Sequence, residues 1–259
     1  MMNRAALVTG ASAGIGACFA DLLAKEGYDL VLVARDEERL TELGRRLQNE
    51  HGISFEVLRA DLTVADDLKR VEERVKDSSK PIDVLVNNAG FGIKKSFLAS
   101  DVSAEQELLD VLAKTPMRLM HAALPPMKER NSGIIINVSS VAGWVAGGSY
   151  SAAKSYLTVL SESIHSELSR SNVKVLALCP GYTRTEFHER SKMRMSGLPD
   201  FMWLKVENVV AKAWSDARAG KAISVPGWQY AIFATFARSA PRPLIRKFGI
   251  NMKPKKSKK

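Results

Sequence analysis

The chain has 259 residues, 46% hydrophobic and 25% charged, enough to bury a full core and too apolar for a disordered chain. Its net charge is +10, but five lysines fall in the last seven residues, KPKKSKK; the body is only mildly basic, which argues against nucleic acid as a partner. No apolar run approaches bilayer-spanning length, MMNRAALVTG lacks the apolar core of a signal peptide, and the two cysteines, Cys18 and Cys179, lie far apart in apolar segments. Together these predict a reduced, cytoplasmic protein.

In chain order, AALVT (5–9), YDLVLVA (28–34), ISFEVLR (53–59), IDVLVN (82–87), GIIINVS (133–139) and VKVLALC (173–179) predict strands. Such near-continuous Val, Ile and Leu runs suit parallel strands covered on both faces. Helical patterns lie between them, with Leu40, Leu43 and Leu47 in one and Leu68, Val71 and Val75 in the next. The βαβα rhythm predicts an α/β fold with a doubly wound parallel sheet in three α/β/α layers. No internal repeat or linker splits the chain, so residues 1–251 read as a single domain and 252–259 as a mobile basic tail.

The first strand ends in TGASAGIG, which places Gly10, Gly14 and Gly16 at a strand-to-helix turn. Glycines there let the backbone approach a pyrophosphate seated at a helix N-terminus. The spacing G-x-x-x-G-x-G differs from the G-x-G-x-x-G fingerprint, but its position directly after a strand favours nucleotide binding over a bare turn. Further on, in SYSAAK, Tyr150 precedes Lys154 by four residues, so on a helix the two share a face. A tyrosine with a pKa of about 10 is a poor base near neutrality, and a neighbouring ammonium is expected to lower it into the working range. Ten residues before the tyrosine, NVSS ends a strand and presents Ser140, whose hydroxyl can orient a substrate carbonyl; Ser139 is the neighbouring candidate.

TGASAGIG, NNAG (87–90), SYSAAK and CPGYTRT (179–185) occur in the order and approximate spacing of the short-chain dehydrogenase/reductase family, which the chain resembles over about residues 5–185. The resemblance implies a Rossmann-type oxidoreductase with Ser140, rather than Ser139, Tyr150 and Lys154 as catalytic residues. Lys154 would also hold the nicotinamide ribose beside Tyr150. It implies cofactor contacts from the first turn (Gly10, Ser12, Gly14, Ile15, Gly16), from Asp61 and Leu62 at the adenine, and from Asn88, Ala89 and Gly90 at the adenosine ribose. Pro180, Gly181, Thr183 and Thr185 would contact the carboxamide and pyrophosphate. Asn87 reads as a simple tie between strand ends.

An acidic residue ending the second strand would bond the ribose hydroxyls and favour NAD. Here Ala34 occupies that position and Arg35 follows, leaving room and charge for a 2′-phosphate. NADP (NADPH) is therefore expected, unless the register slips by two residues and Asp36 serves as the acid.

Most relatives would carry an asparagine where this chain has Leu112, to complete a proton relay through water. Leucine cannot bond water, but Pro116, four residues on, has no N–H to pair with the Leu112 carbonyl. That oxygen could hold the relay water, or Pro116 could be a plain kink; both readings are open. Beyond the CPGYTRT loop, Phe187, Met193, Met195, Phe201, Met202 and Trp203 could form an adaptable apolar lid for a bulky hydrophobic carbonyl or alcohol, with Trp144 at the pocket wall, or could be ordinary packing. His121, His165 and His188 show no ligand-like clustering, and no metal is assigned.

Residues 228–259 combine aromatic and apolar residues with a basic end. They could lie weakly on an anionic membrane surface, or cap the cleft or a subunit interface. The expected protein is an NADP-dependent carbonyl reductase or alcohol dehydrogenase acting on a small molecule; the alternative is an NADP-binding regulator that has lost turnover. The resemblance also implies a homodimer or homotetramer, joined through the helices around Leu112 and Tyr150.

Overall fold

The computed structural model describes residues 4–186 and 199–251. Its strands form one seven-stranded parallel sheet in the order β3-β2-β1-β4-β5-β6-β7. They are β1 (Ala5–Thr9), β2 (Asp29–Ala34), β3 (Phe55–Arg59), β4 (Val84–Asn87), β5 (Gly133–Val138), β6 (Val173–Leu178) and β7 (Ile223–Ser224). Six match the predicted runs to within two residues at either end. The seventh is two residues long, too short to carry a period.

Alternation along each strand sorts the helices into two layers. Ala6 and Val8 of β1 face Phe19 and Leu23 of α1 (Gly14–Lys25), Leu40 and Leu47 of α2 (Glu37–His51), and Val209 and Trp214 of α7 (Val206–Arg218). Leu7, between them, faces the other way, in one cluster with Val71 of α3 (Ala65–Lys76), Leu119 and Met120 of α5 (Thr115–Glu129) and Leu157 of α6 (Gly148–Glu167). Both faces of the sheet are covered, which is why the strand sequences are apolar throughout.

Ahead of α5 the chain does not run as a regular helix. α4 (Val102–Leu109) passes into a wide π turn at Asp110–Lys114, immediately before Pro116. After β7 come α8 (Trp228–Ser239) and α9 (Arg242–Asn251). The suggested lid residues Phe187, Met193 and Met195, together with His188 and the tail 252–259, lie outside the described residues.

Parallel strands bring their C-terminal ends to one edge. β1 turns to β2 and β3 on one side and to β4 and β5 on the other, so a crevice opens between the ends of β1 and β4.

Candidate active site

The turn after β1 is shaped by its glycines. Gly10 and Gly14 adopt φ of +65° and +57°, a region side-chain-bearing residues rarely occupy. At Gly16 the constraint is contact, since a Cβ there would collide with the Gly10 carbonyl and the Asn88 amide. The N-cap of α1, Ala13, offers no side-chain acceptor, and the first turn holds no acid. The opening N–H groups are thus available to an anion, which fits the pyrophosphate of a dinucleotide.

Asn88 ties β4 to this turn. Its amide donates to the carbonyls of Thr9 (3.0 Å) and Gly10 (3.1 Å), while the backbone N–H groups of Asn88 and Ala89 both donate to Thr9 Oγ1. On the other side of the turn, Thr185 packs against Gly14, where an added Cβ would sit 3.2 Å from Thr185 Cβ. Two distant motifs therefore meet at one point. The loop between them is braced by α8: Tyr230 lies against Gly181, accepts from the Tyr182 N–H at 3.0 Å and donates to the Met202 carbonyl at 2.6 Å. Thr183 Oγ1 donates to the Gly181 carbonyl, and Val141 N–H to that of Pro180.

At the end of β2, Arg35 is 78% exposed, with its guanidinium 3.8 Å from Asp61. Asp36 is the N-cap of α2 and accepts from the Arg39 N–H at 3.1 Å. Burial raises the Asp61 carboxyl, but its hydrogen bonds from Thr63 and the charge of Arg35 outweigh this and hold it below the usual carboxylate range. Leu62 is buried, and its carbonyl accepts from Thr115 Oγ1.

Ser140 caps a short turn at Val141–Trp144 and accepts from the Ala142 N–H at 3.1 Å. Its side chain is also hydrogen-bonded to the Tyr150 hydroxyl. Tyr150 stands in the first turn of α6, and Lys154 Nζ lies 5.8 Å from its ring centroid, donating to the Val138 carbonyl at 2.6 Å. Burial pushes the Tyr150 hydroxyl up to about 12, only partly opposed by Ser140, and burial brings Lys154 down to about 8. The expectation that Lys154 lowers the tyrosine is corrected here. The ammonium is turned to a backbone carbonyl, and desolvation of the phenolate dominates.

Behind Lys154 lies a cavity of about 10 Å³, room for about one water, lined by residues that include Asn87, Leu112, Pro116 and Lys154. A Cβ on Gly90 would come within 2.8 Å of Leu112 Cδ2 and 4.0 Å of Lys154 Nζ, so strand end, helix and lysine converge there. Asn87 does more than tie strands. Ser161 Oγ donates to the Leu157 carbonyl, so it must accept from Asn137 Nδ2; Asn137 Oδ1 must then accept from Asn87 Nδ2. The chain of bonds leaves Asn87 Oδ1 as a buried acceptor with no hydrogen-bond partner among the described residues. Asn137 and Ser161 were not anticipated, although an asparagine inside GIIINVS, an otherwise apolar strand, is a visible signal.

Among the described residues, one group could hold a metal: Asp21, Glu50 and His51. Arg46 already bonds both carboxylates, at 3.0 and 2.7 Å. His165 Nδ1 lies 3.2 Å from the Val175 carbonyl. Cys18 and Cys179 are free thiols, both pushed up to about 11, chiefly by burial.

A parallel sheet with a glycine turn at its crevice and a Ser–Tyr–Lys group beside it defines a dinucleotide-dependent oxidoreductase. A sequence profile described as short chain dehydrogenase matches residues 4–195, and the chain belongs to that family. An uncharacterized oxidoreductase of Staphylococcus saprophyticus is 34% identical over 188 residues, covering 71% of this chain and 80% of the relative. A short-chain dehydrogenase from Sphingobium yanoikuyae, solved in complex with NADPH, superposes with a TM-score of 0.85 at 32% identity, covering 99% of this chain and 98% of the other. The bulky-bulky ketone specific alcohol dehydrogenase from Comamonas testosteroni gives 0.82 at 28% identity, covering 100% and 98%.

Proposed function

We propose that the protein is an NADP(H)-dependent oxidoreductase acting on the carbonyl or secondary alcohol of a bulky hydrophobic substrate. The observation that carries this reading is the hydrogen-bonded Ser140–Tyr150 pair with Lys154 beside it, at the crevice end of the sheet. NADP is favoured because Arg35 is exposed beside the small Ala34, while Asp36 is engaged as a helix cap. The NADPH complex of the Sphingobium relative points the same way. Substrate size follows the Comamonas relative, described as specific for bulky-bulky ketones, and the apolar Trp144 close to Ser140.

The glycine turn, with Ser12 and Ile15, would hold the pyrophosphate, and Arg35 the 2′-phosphate. Asp61 and Leu62 would border the adenine, Asn88 to Gly90 its ribose, Lys154 the nicotinamide ribose, and Pro180, Gly181, Thr183 and Thr185 the carboxamide side. A bound nicotinamide supplies the hydride in reduction and accepts it in oxidation. Tyr150, protonated at neutral pH, donates its proton to the substrate oxygen. Ser140 Oγ accepts from Ala142 and is bonded to the Tyr150 hydroxyl; with substrate bound, its proton would turn to the substrate oxygen and orient it. Lys154 leads towards reprotonation: a water in the cavity behind it would accept from Nζ and donate to Asn87 Oδ1 and to the Leu112 carbonyl, which Pro116 leaves without its helical N–H. An unsatisfied buried acceptor costs roughly 1–3 kcal/mol, so Asn87 favours that water.

The test is fluorescence titration with NADPH and NADH, followed by turnover of Tyr150→Phe with a bulky ketone. Tight NADPH binding retained in the variant, with turnover reduced about 10²–10⁴-fold, is expected. A preference for NADH would overturn the role given to Arg35, and binding of neither cofactor would overturn the enzyme. Undiminished turnover in the variant would remove Tyr150 from catalysis.

A further inference from the structure

Asn87 and Asn137 stand opposite one another on β4 and β5, and both are buried. Two facing amides have no preferred sense of their own: either can donate to the other, and the pair closes equally well both ways. What lies behind Asn137 breaks the tie. Its Nδ2 is 2.9 Å from Ser161 Oγ and 3.0 Å from Met120 Sδ. The single proton of Ser161 is committed to the Leu157 carbonyl at 2.6 Å, and a thioether has none to give, so both neighbours can only accept. Asn137 therefore turns its NH2 to them and its carbonyl forward. Asn87 answers with its own NH2 at 2.8 Å, and Asn87 Oδ1 is the end left over.

Asn87 also lines the cavity behind Lys154. We propose that Ser161, backed by Met120, is a positioning residue for the reaction: it fixes the sense of the Asn137–Asn87 pair and so presents a carbonyl oxygen, rather than an NH2, to the water beside Lys154. This role rests on the relay described above and supplies the cause of the Asn87 orientation that the relay requires. Ser161 lies on α6 seven residues beyond Lys154, so one helix carries the lysine and, two turns on, the group that orients the amide of its cavity.

The sense of the pair matters because Nζ carries a charge. A water held by two acceptors, Asn87 Oδ1 and the Leu112 carbonyl, offers its lone pairs to Nζ and favours the ammonium. Reversed, the Asn87 NH2 would set a partial positive charge on that side and favour the neutral amine. The titratable groups next to Lys154 are Tyr150, on the same helix, and Cys179, just beyond β6. Burial holds them at about 12 and about 11, so neither changes charge where the lysine does, near 8.

Reduction of a bulky ketone by NADPH is followed against pH in the unmodified chain and in Ser161→Ala, which suits a helix interior and leaves both senses of the pair open. The variant is expected to lose kcat about tenfold, to hold KM for NADPH, and to begin its alkaline fall in kcat/KM about one pH unit lower. Met120→Leu, which conserves volume, should move the fall the same way by less, and it decides alone if Ser161→Ala fails to bind NADPH. Ser161→Thr keeps the hydroxyl and should return the fall to its original place. A purely structural role would lower the melting temperature and leave the fall where it was. No turnover in the unmodified protein overturns the enzyme, and this role with it; normal turnover with a fall unmoved in Ser161→Ala and Met120→Leu overturns the role of Ser161 alone.

Discussion

Arg35 and Asp36 are neighbours at the end of β2, and either could have met the cofactor ribose. Asp36 is committed to the Arg39 N–H as the cap of α2, whereas the Arg35 side chain extends into solvent within reach of Asp61. Charge-assisted bonds are worth about 1.5–3 kcal/mol, so Arg35→Ser should weaken NADPH binding roughly 10–100-fold and leave NADH binding nearly unchanged. Titration with both cofactors checks this. Lys154 sets the pH response. Its ammonium loses its proton near pH 8, while Tyr150, held at about 12, stays protonated. Reductive kcat/KM should therefore fall as pH rises through about 8. The stability contribution of this one lysine moves the other way. Between the folded value and the unfolded one of about 10.4, the unfolded chain binds more protons at this lysine, so the Lys154 contribution to stability increases with pH. A kcat/KM profile checks the fall in rate; a rate that holds level through about pH 8 would contradict the assignment.

The π turn at Asp110–Lys114 is the element with the most direct bearing on the relay. Pro116→Ala restores an N–H opposite the Leu112 carbonyl and should close the wide turn. The expected result is a kcat reduced about tenfold with KM for NADPH held, read by steady-state kinetics. An unchanged kcat would leave Pro116 as a plain kink. The strands were legible because their burial on both faces writes itself as unbroken apolar runs. The glycine turn after β1 was legible because a turn at positive φ demands particular residues. The π turn was not, since DVLAK is compatible with an ordinary helix. Nor was β7, whose two residues pair with β6 only because α7 returns the chain there. The buried chain Ser161–Asn137–Asn87 joins residues up to 74 positions apart, a contact no local pattern encodes. The elevation of Tyr150 was missed for the same reason: it depends on desolvation by the assembled site.

At the scale of the molecule, α4 and α6 leave Val102, Tyr156 and Val159 exposed on their outer sides. We expect these helices to be covered by a second copy, so the unmodified chain should exceed the monomer mass by light scattering and Val159→Glu should lower that mass, with the cofactor site still able to bind NADPH. A mass unaltered by the charge would place the contact elsewhere. The parallel sheet adds a practical asymmetry. Every site residue lies at or beyond the C-terminal ends of the strands or on the helices that follow, whereas Gly27, Gly52 and Gly220 occupy turns at the opposite edge. At Gly27 and Gly52 none of the described residues stands within 4 Å of where a side chain would begin. A label or solid support attached through those two turns would hold the enzyme by its back, with the catalytic cleft directed towards the medium.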